Sequence, residues 1–263
     1  MRSEVWGPRN LRPFTLVEVV GLWLAITLPM GFFVFGVAPF FVDRLPYDAG
    51  LIFWACVIAG MVVQFLVAIA VLVGEGQVWT WAQLRRRLWL TMPRHPKTKR
   101  AVPWALIAWP VLGAVLCALI SEAFFPILDV PFASRLPAWM VPDYGVISVL
   151  ATHENKGAWH LLAFAFLSSV FNYGLGEALF FHCVLLPRMV ATFGRWAWLV
   201  NGALLGLYHV HKLSFMPTVI LSSLPFAFPA QRYRSSLLAI LMHGVEGIFL
   251  LLAILLVITG TGG

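Results

Sequence analysis

GLGEALFFHCVLLPR, residues 174–188, is an apolar run with one carboxylate, Glu177, set into it. An ionised Glu at bilayer depth costs roughly 2.5–3.5 kcal/mol on insertion scales. A residue kept at that cost is normally paired, protonated or part of a functional site. Two histidines on later apolar runs, His209 and His243, are the expected partners.

The surrounding composition is that of an integral membrane protein. The chain is 61% hydrophobic and 11% charged, with a mean hydropathy of +0.88. A soluble domain carries about 25% charged residues. The net charge of +7 does not point to nucleic acid, because the basic residues cluster between apolar runs. That is the pattern of cytoplasmic loops. Cys56, Cys117 and Cys183 all lie inside apolar runs, which speaks against a disulfide framework or a Cys-rich metal site.

Seven apolar runs read as spans: about 14–42, 50–74, 102–125, 158–187, 196–210, 215–228 and 236–258. The first is too long for the h-region of a cleaved signal peptide. The sixth is short and interrupted by Pro217 and Pro225. The expected fold is an all-α polytopic bundle of about seven transmembrane helices, forming one integral membrane domain over 1–263. Within it, 1–157 supplies three N-terminal spans and loops, and 158–260 supplies the core that holds the site. The loop 126–157 carries Leu128, Val130, Trp139 and Met140, so part of it is expected on the membrane surface.

Residues 82–101 hold Arg85, Arg86, Arg87, Arg94, Lys97, Lys99 and Arg100, with no acidic residue. A site for anionic lipid is one account of them. A solvated cytoplasmic loop that fixes topology is the simpler one. With this loop inside, the N-terminus with Arg2, Arg9 and Arg12, and the basic turns 188–195 and 232–234, are inside too. The expectation is a bacterial inner-membrane protein with a cytoplasmic N-terminus.

Depth ties three polar side chains together. Glu177 lies 11 residues before Arg188, His209 14 residues after Arg195, and His243 nine after Arg234. At 1.5 Å per residue these are about 16, 21 and 14 Å from the basic side. Three groups on three spans at similar depth are what one shared site requires. One Glu and two His could also bind zinc, an alternative that the sequence leaves open.

At these residues the chain resembles the CPBP family of intramembrane proteases, which includes type II CAAX prenyl proteases and bacteriocin-processing or immunity relatives. GEALFFHCVLLPR resembles the first motif, GALLGLYHVHK the second and SSLLAILMHGVEGIF the third, over about 161–251. The resemblance implies that Glu177 and His209 activate a water, and that His243 stabilises the oxyanion of the attacked peptide bond. It implies a peptide hydrolase, described in the family both with and without a catalytic metal. The expected partners are membrane lipid and a membrane-associated or lipidated peptide or protein, not nucleic acid.

Four positions depart from the motifs, the mildest being Leu205 where the second motif has Phe. Ala178 stands where the family has a second Glu, and His182 where it has Arg. The two are i and i+4, so a Glu and Arg there could pair, and their joint replacement leaves no orphan charge. Gly247 stands where the family has Asn or Asp, an oxyanion donor. Tyr208, Asn201 and His182 are candidate substitutes, and Glu246 could orient His243. Asn172 and Tyr173, one turn before Glu177, could line the cavity. His211 reads as interfacial, and the Gly202/Gly206 pair as close helix packing. Alternatives to a protease are an inactive scaffold or immunity factor of the same fold, or a transporter with Glu177 as proton carrier.

Overall fold

The computed structural model describes residues 12–76 and 80–260. Arg2 and Arg9 of the expected basic N-terminus lie outside the described residues. Apart from one isolated bridge between Arg94 and Ala101, the regular structure among the described residues is helical.

Helix α1 (Leu16–Val42) starts on a capping box: the Glu18 amide donates to Thr15 Oγ1, and the Thr15 amide to the Glu18 carboxylate. Helix α2 (Ala49–Gly74) is capped by Asp48, which accepts from the Leu51 amide. The short α3 (Trp81–Arg87) begins on a Thr80–Gln83 capping box. Helix α4 (Ala105–Ala133) carries a π turn at Phe125–Asp129. It therefore absorbs Leu128 and Val130, which sequence assigned to a loop. Helix α5 covers 160–193, followed by α6 (Ala197–Tyr208), a 3-10 turn (Val210–Phe215), α7 (Met216–Tyr233) and α8 (Leu237–Thr259).

Among the described residues, six segments are long and apolar enough to cross a membrane, not the seven expected. The difference is α6. Its 12 residues reach only about 18 Å, short of the roughly 20 residues a crossing helix needs. It instead packs along α7 as a hairpin. The expected close packing at Gly202 and Gly206 is present, and its partner is α7. A Cβ on Gly202 would meet the Leu224 Cα at 3.1 Å, and one on Gly206 would meet the Ile220 backbone.

One end of the bundle gathers the basic turns. There Arg188 donates to the Arg12 carbonyl, the Arg94 amide to the Tyr233 carbonyl, and the Ser236 amide to the Trp89 carbonyl. At the other end, the Gly157 amide donates to the Ile258 carbonyl. The main core lies between α1, α2, α5 and α6, around Ile26, Met30, Met61, Phe180, Leu185 and Leu205. Helix α4 shows Ile107, Val111, Val115 and Leu119 outward at i, i+4 spacing, as lipid contact requires. This is a polytopic membrane helical fold.

Candidate active site

Helix α5 does not keep an α-helical register through the opening stretch. Ser169–Gly176 and Ala178–Leu185 are both π-helical, with Glu177 between them. Such widened turns are rare and concentrate at functional sites. Glu177 is 2% exposed, His209 7% and His243 1%. Three elements deliver them: α5, the C-terminal cap of α6 and the second turn of α8.

The three meet. Glu177 Oε1 lies 3.1 Å from His209 Nε2, and Glu177 Oε2 3.7 Å from His243 Nδ1. The first contact is off hydrogen-bond alignment, and Oε1 has no hydrogen-bond donor. Catalytic contacts in ligand-free sites are often loose in this way. His209 Nδ1 is 2.8 Å from the Leu205 carbonyl, which can only accept, so Nδ1 carries the proton. Nε2 of the neutral ring is then a lone pair facing a carboxylate. Oε1 and Nε2 are then two acceptors facing each other, an arrangement that can take up a proton from a bound water.

His243 Nδ1 is also 3.1 Å from Glu246 Oε2, so it faces two carboxylates and carries a proton. Its Nε2 is buried without a partner. The Phe226 ring lies 4.4 Å from the His243 ring, centroid to centroid. A cavity of about 170 Å³ opens over the three residues. Its wall includes Asn172, Tyr173, Lys212, Ser222, Ser223 and Glu246. Asn172 and Tyr173 are therefore where their position one turn before Glu177 suggested.

The other candidates divide. Glu246 stands at the mouth, its side chain 42% exposed. His182 is fully buried behind His243, ring centroids 5.4 Å apart, with neither nitrogen partnered. Asn201 turns away from the cavity: its amide donates to the Phe181 carbonyl at 2.9 Å. Tyr208 is fully buried with its hydroxyl unpartnered, packed against Phe181 and His209 rather than in the cavity wall. His211 is not interfacial. It is buried, with its ring centroid 5.3 Å from that of His209. Gly247 faces Tyr173: a Cβ there would stand 3.1 Å from Tyr173 Cδ2. The tyrosine ring fills the space where the resemblance expects an Asn or Asp.

Sequence reasoning missed Lys212, the cation of the cavity wall, because it was counted in a loop. It also missed Ser222 and Ser223. Glu177, His209 and His243 approach one another, but among the described residues no group of three His, Cys, Asp or Glu side chains has the arrangement of a metal-binding set.

The family model described as type II CAAX prenyl endopeptidase, Rce1-like, matches residues 157–249. This segment is similar to the Rce1-like endopeptidases. The match spans all three motifs and holds Glu177, His209 and His243, so the resemblance read from the motifs is borne out. No curated protein and no solved structure matches the chain. The Rce1-like segment comprises α5, α6, α7 and the first half of α8, and α1 and α2 pack outside it.

Proposed function

We propose that the chain is an intramembrane endopeptidase whose Glu177–His209 pair activates a water against a peptide bond of a membrane-associated or lipidated substrate. The observation behind it is a buried carboxylate and imidazole 3.1 Å apart at the floor of a cavity with room for water. A water bound there loses a proton to the pair as its oxygen bonds to the carbonyl carbon. When the tetrahedral intermediate collapses, the C–N bond breaks and that proton leaves with the amine.

The oxyanion needs donors. His243, whose Nδ1 faces the carboxylates of Glu177 and Glu246, can give one from Nε2 only as an imidazolium. The Tyr173 hydroxyl, on the ring that occupies the Gly247 side, is the second donor in this proposal. No step runs through zinc, and cleavage is expected to survive chelation. The basic end is assigned to the cytoplasm, which puts the N-terminus there.

The test is comparative proteomics of membrane peptides from cells carrying the wild type or Glu177→Gln. Fragments that disappear with the variant identify the substrate. Identical peptide sets, with both proteins folded, would remove Glu177 from the chemistry. The second reading, a scaffold or immunity factor of the same fold, rests on Gly247, Ala178 and His182, where the motifs lose polar partners.

A further inference from the structure

Four successive carbonyls of the π-helical segment, those of residues 181 to 184, accept hydrogen bonds from side chains of three other elements. Asn201 on α6 donates to Phe181 at 2.9 Å. Ser236, just before α8, donates to His182 at 2.7 Å. Arg87, the last residue of α3, donates to Cys183 at 3.3 Å and to Val184 at 3.2 Å. Pro187 leaves one carbonyl of this stretch without its helical donor. It has no N–H. In the π register its missing donor would have served His182, and in the α register that follows, Cys183.

Arg87 differs from the other donors in its support. It is 3% exposed, although its neighbours Arg85 and Arg86 lie open. Its Nη2 lies 2.5 Å from Glu75 Oε1, and its Nε 3.0 Å from the same oxygen. Arg188, one residue after Pro187, is held by the same Glu75 oxygen at 2.8 Å. One buried carboxylate thus grips two arginines on either side of the point where the register changes. A guanidinium suits this position because its fork can meet a carboxylate and two carbonyls at once.

We propose that Arg87, held by Glu75, is a positioning residue: by taking the Cys183 and Val184 carbonyls it fixes the π register of α5, and with it the placing of Glu177 against His209. The role rests on the hydrolase reading for its catalytic consequence, but the placing can be read without catalysis. A misplacement of about 1 Å arising far from the chemistry can cost about 10²-fold in rate.

The experiment uses the full-length chain, ¹⁵N-labelled at histidine, in lipid bilayers. The His209 ring resonances are assigned by their loss in His209→Ala, and Glu177→Gln marks their position without the carboxylate. In the double variant Arg87→Gln/Glu75→Gln, which leaves no unpaired carboxylate, the His209 Nε2 resonance is expected to move towards its Glu177→Gln position. Arg87→Lys keeps a charge beside Glu75 but cannot span both carbonyls, and is expected to move it part of the way. On a quenched-fluorescent prenylated CAAX peptide, the double variant is expected to lose about 10²-fold in kcat with KM within about twofold. An unmoved His209 resonance in folded Arg87→Lys would overturn the positioning role, whatever happens to the rate or to the double variant. Absence of wild-type cleavage would count against the hydrolase reading alone, because the resonance still reports the placing.

Discussion

Among the described residues, two carboxylates are buried beside cationic or basic side chains, and they are used in opposite ways. Glu75 is gripped by Arg87 and Arg188 at 2.5 and 2.8 Å, and both arginines also hold backbone carbonyls. Glu177 has only imidazoles within reach, at 3.1 and 3.7 Å, and one oxygen without a donor. Arginine cannot give up its proton in a protein, whereas an imidazole exchanges one readily. The first arrangement is a fixed joint and the second can move a proton. Burial alone therefore does not mark a functional carboxylate; the chemistry of its partners does.

Substitutions can break or sharpen that contrast. The largest expected effect is at the mobile site. Glu177→Gln should lower hydrolysis by about 10⁴-fold, the upper range for a general base, with little change in melting temperature. His209→Ala should be about as damaging, and the double variant little worse than either, because members of one unit do not add. Strictly multiplicative losses would show that the two act independently.

At the fixed joint the sign of the experiment reverses. Glu75→Gln leaves the buried Arg87 and the half-buried Arg188 without their carboxylate and should cost about 3 kcal/mol of stability, read from thermal unfolding in detergent. If Glu75→Gln instead left stability intact and Glu177→Gln unfolded the chain, the contrast would be inverted. Tyr173→Phe should lower kcat by about 10²-fold, the loss expected for one oxyanion donor. The smallest effect is expected at Gly247→Asn. The Tyr173 ring at 3.1 Å leaves little room, so the change should cost about 1–3 kcal/mol and bring no gain in rate.

Much of the mobile site was legible in the sequence, because hydropathy and distance from basic turns fix depth. Glu177, His209 and His243 were placed at a common level and they do meet. The fixed joint was not legible. Its partners are 12 and 113 residues apart, and Arg87 reads as one of seven cations in a solvated loop. Nor did hydropathy count the spans correctly, since the run 196–210 is apolar enough to cross but α6 ends at Tyr208. The chain leaves helical geometry at His209, where ψ is 43°. The π register also escaped notice, although Pro187 announced that some carbonyl upstream would lack a donor.

The contact between Gly206 and Ile220 has a consequence for the chain's mutability. The nearest Ile220 atom is its backbone Cα, which cannot rotate away as a side chain could. Any methyl at 206 pries the hairpin apart three residues below the imidazole that it carries. In a saturation library scored for hydrolysis, codon 206 should therefore tolerate glycine and nothing else. Codons 21 and 244, whose glycines have open space around them, should accept alanine freely.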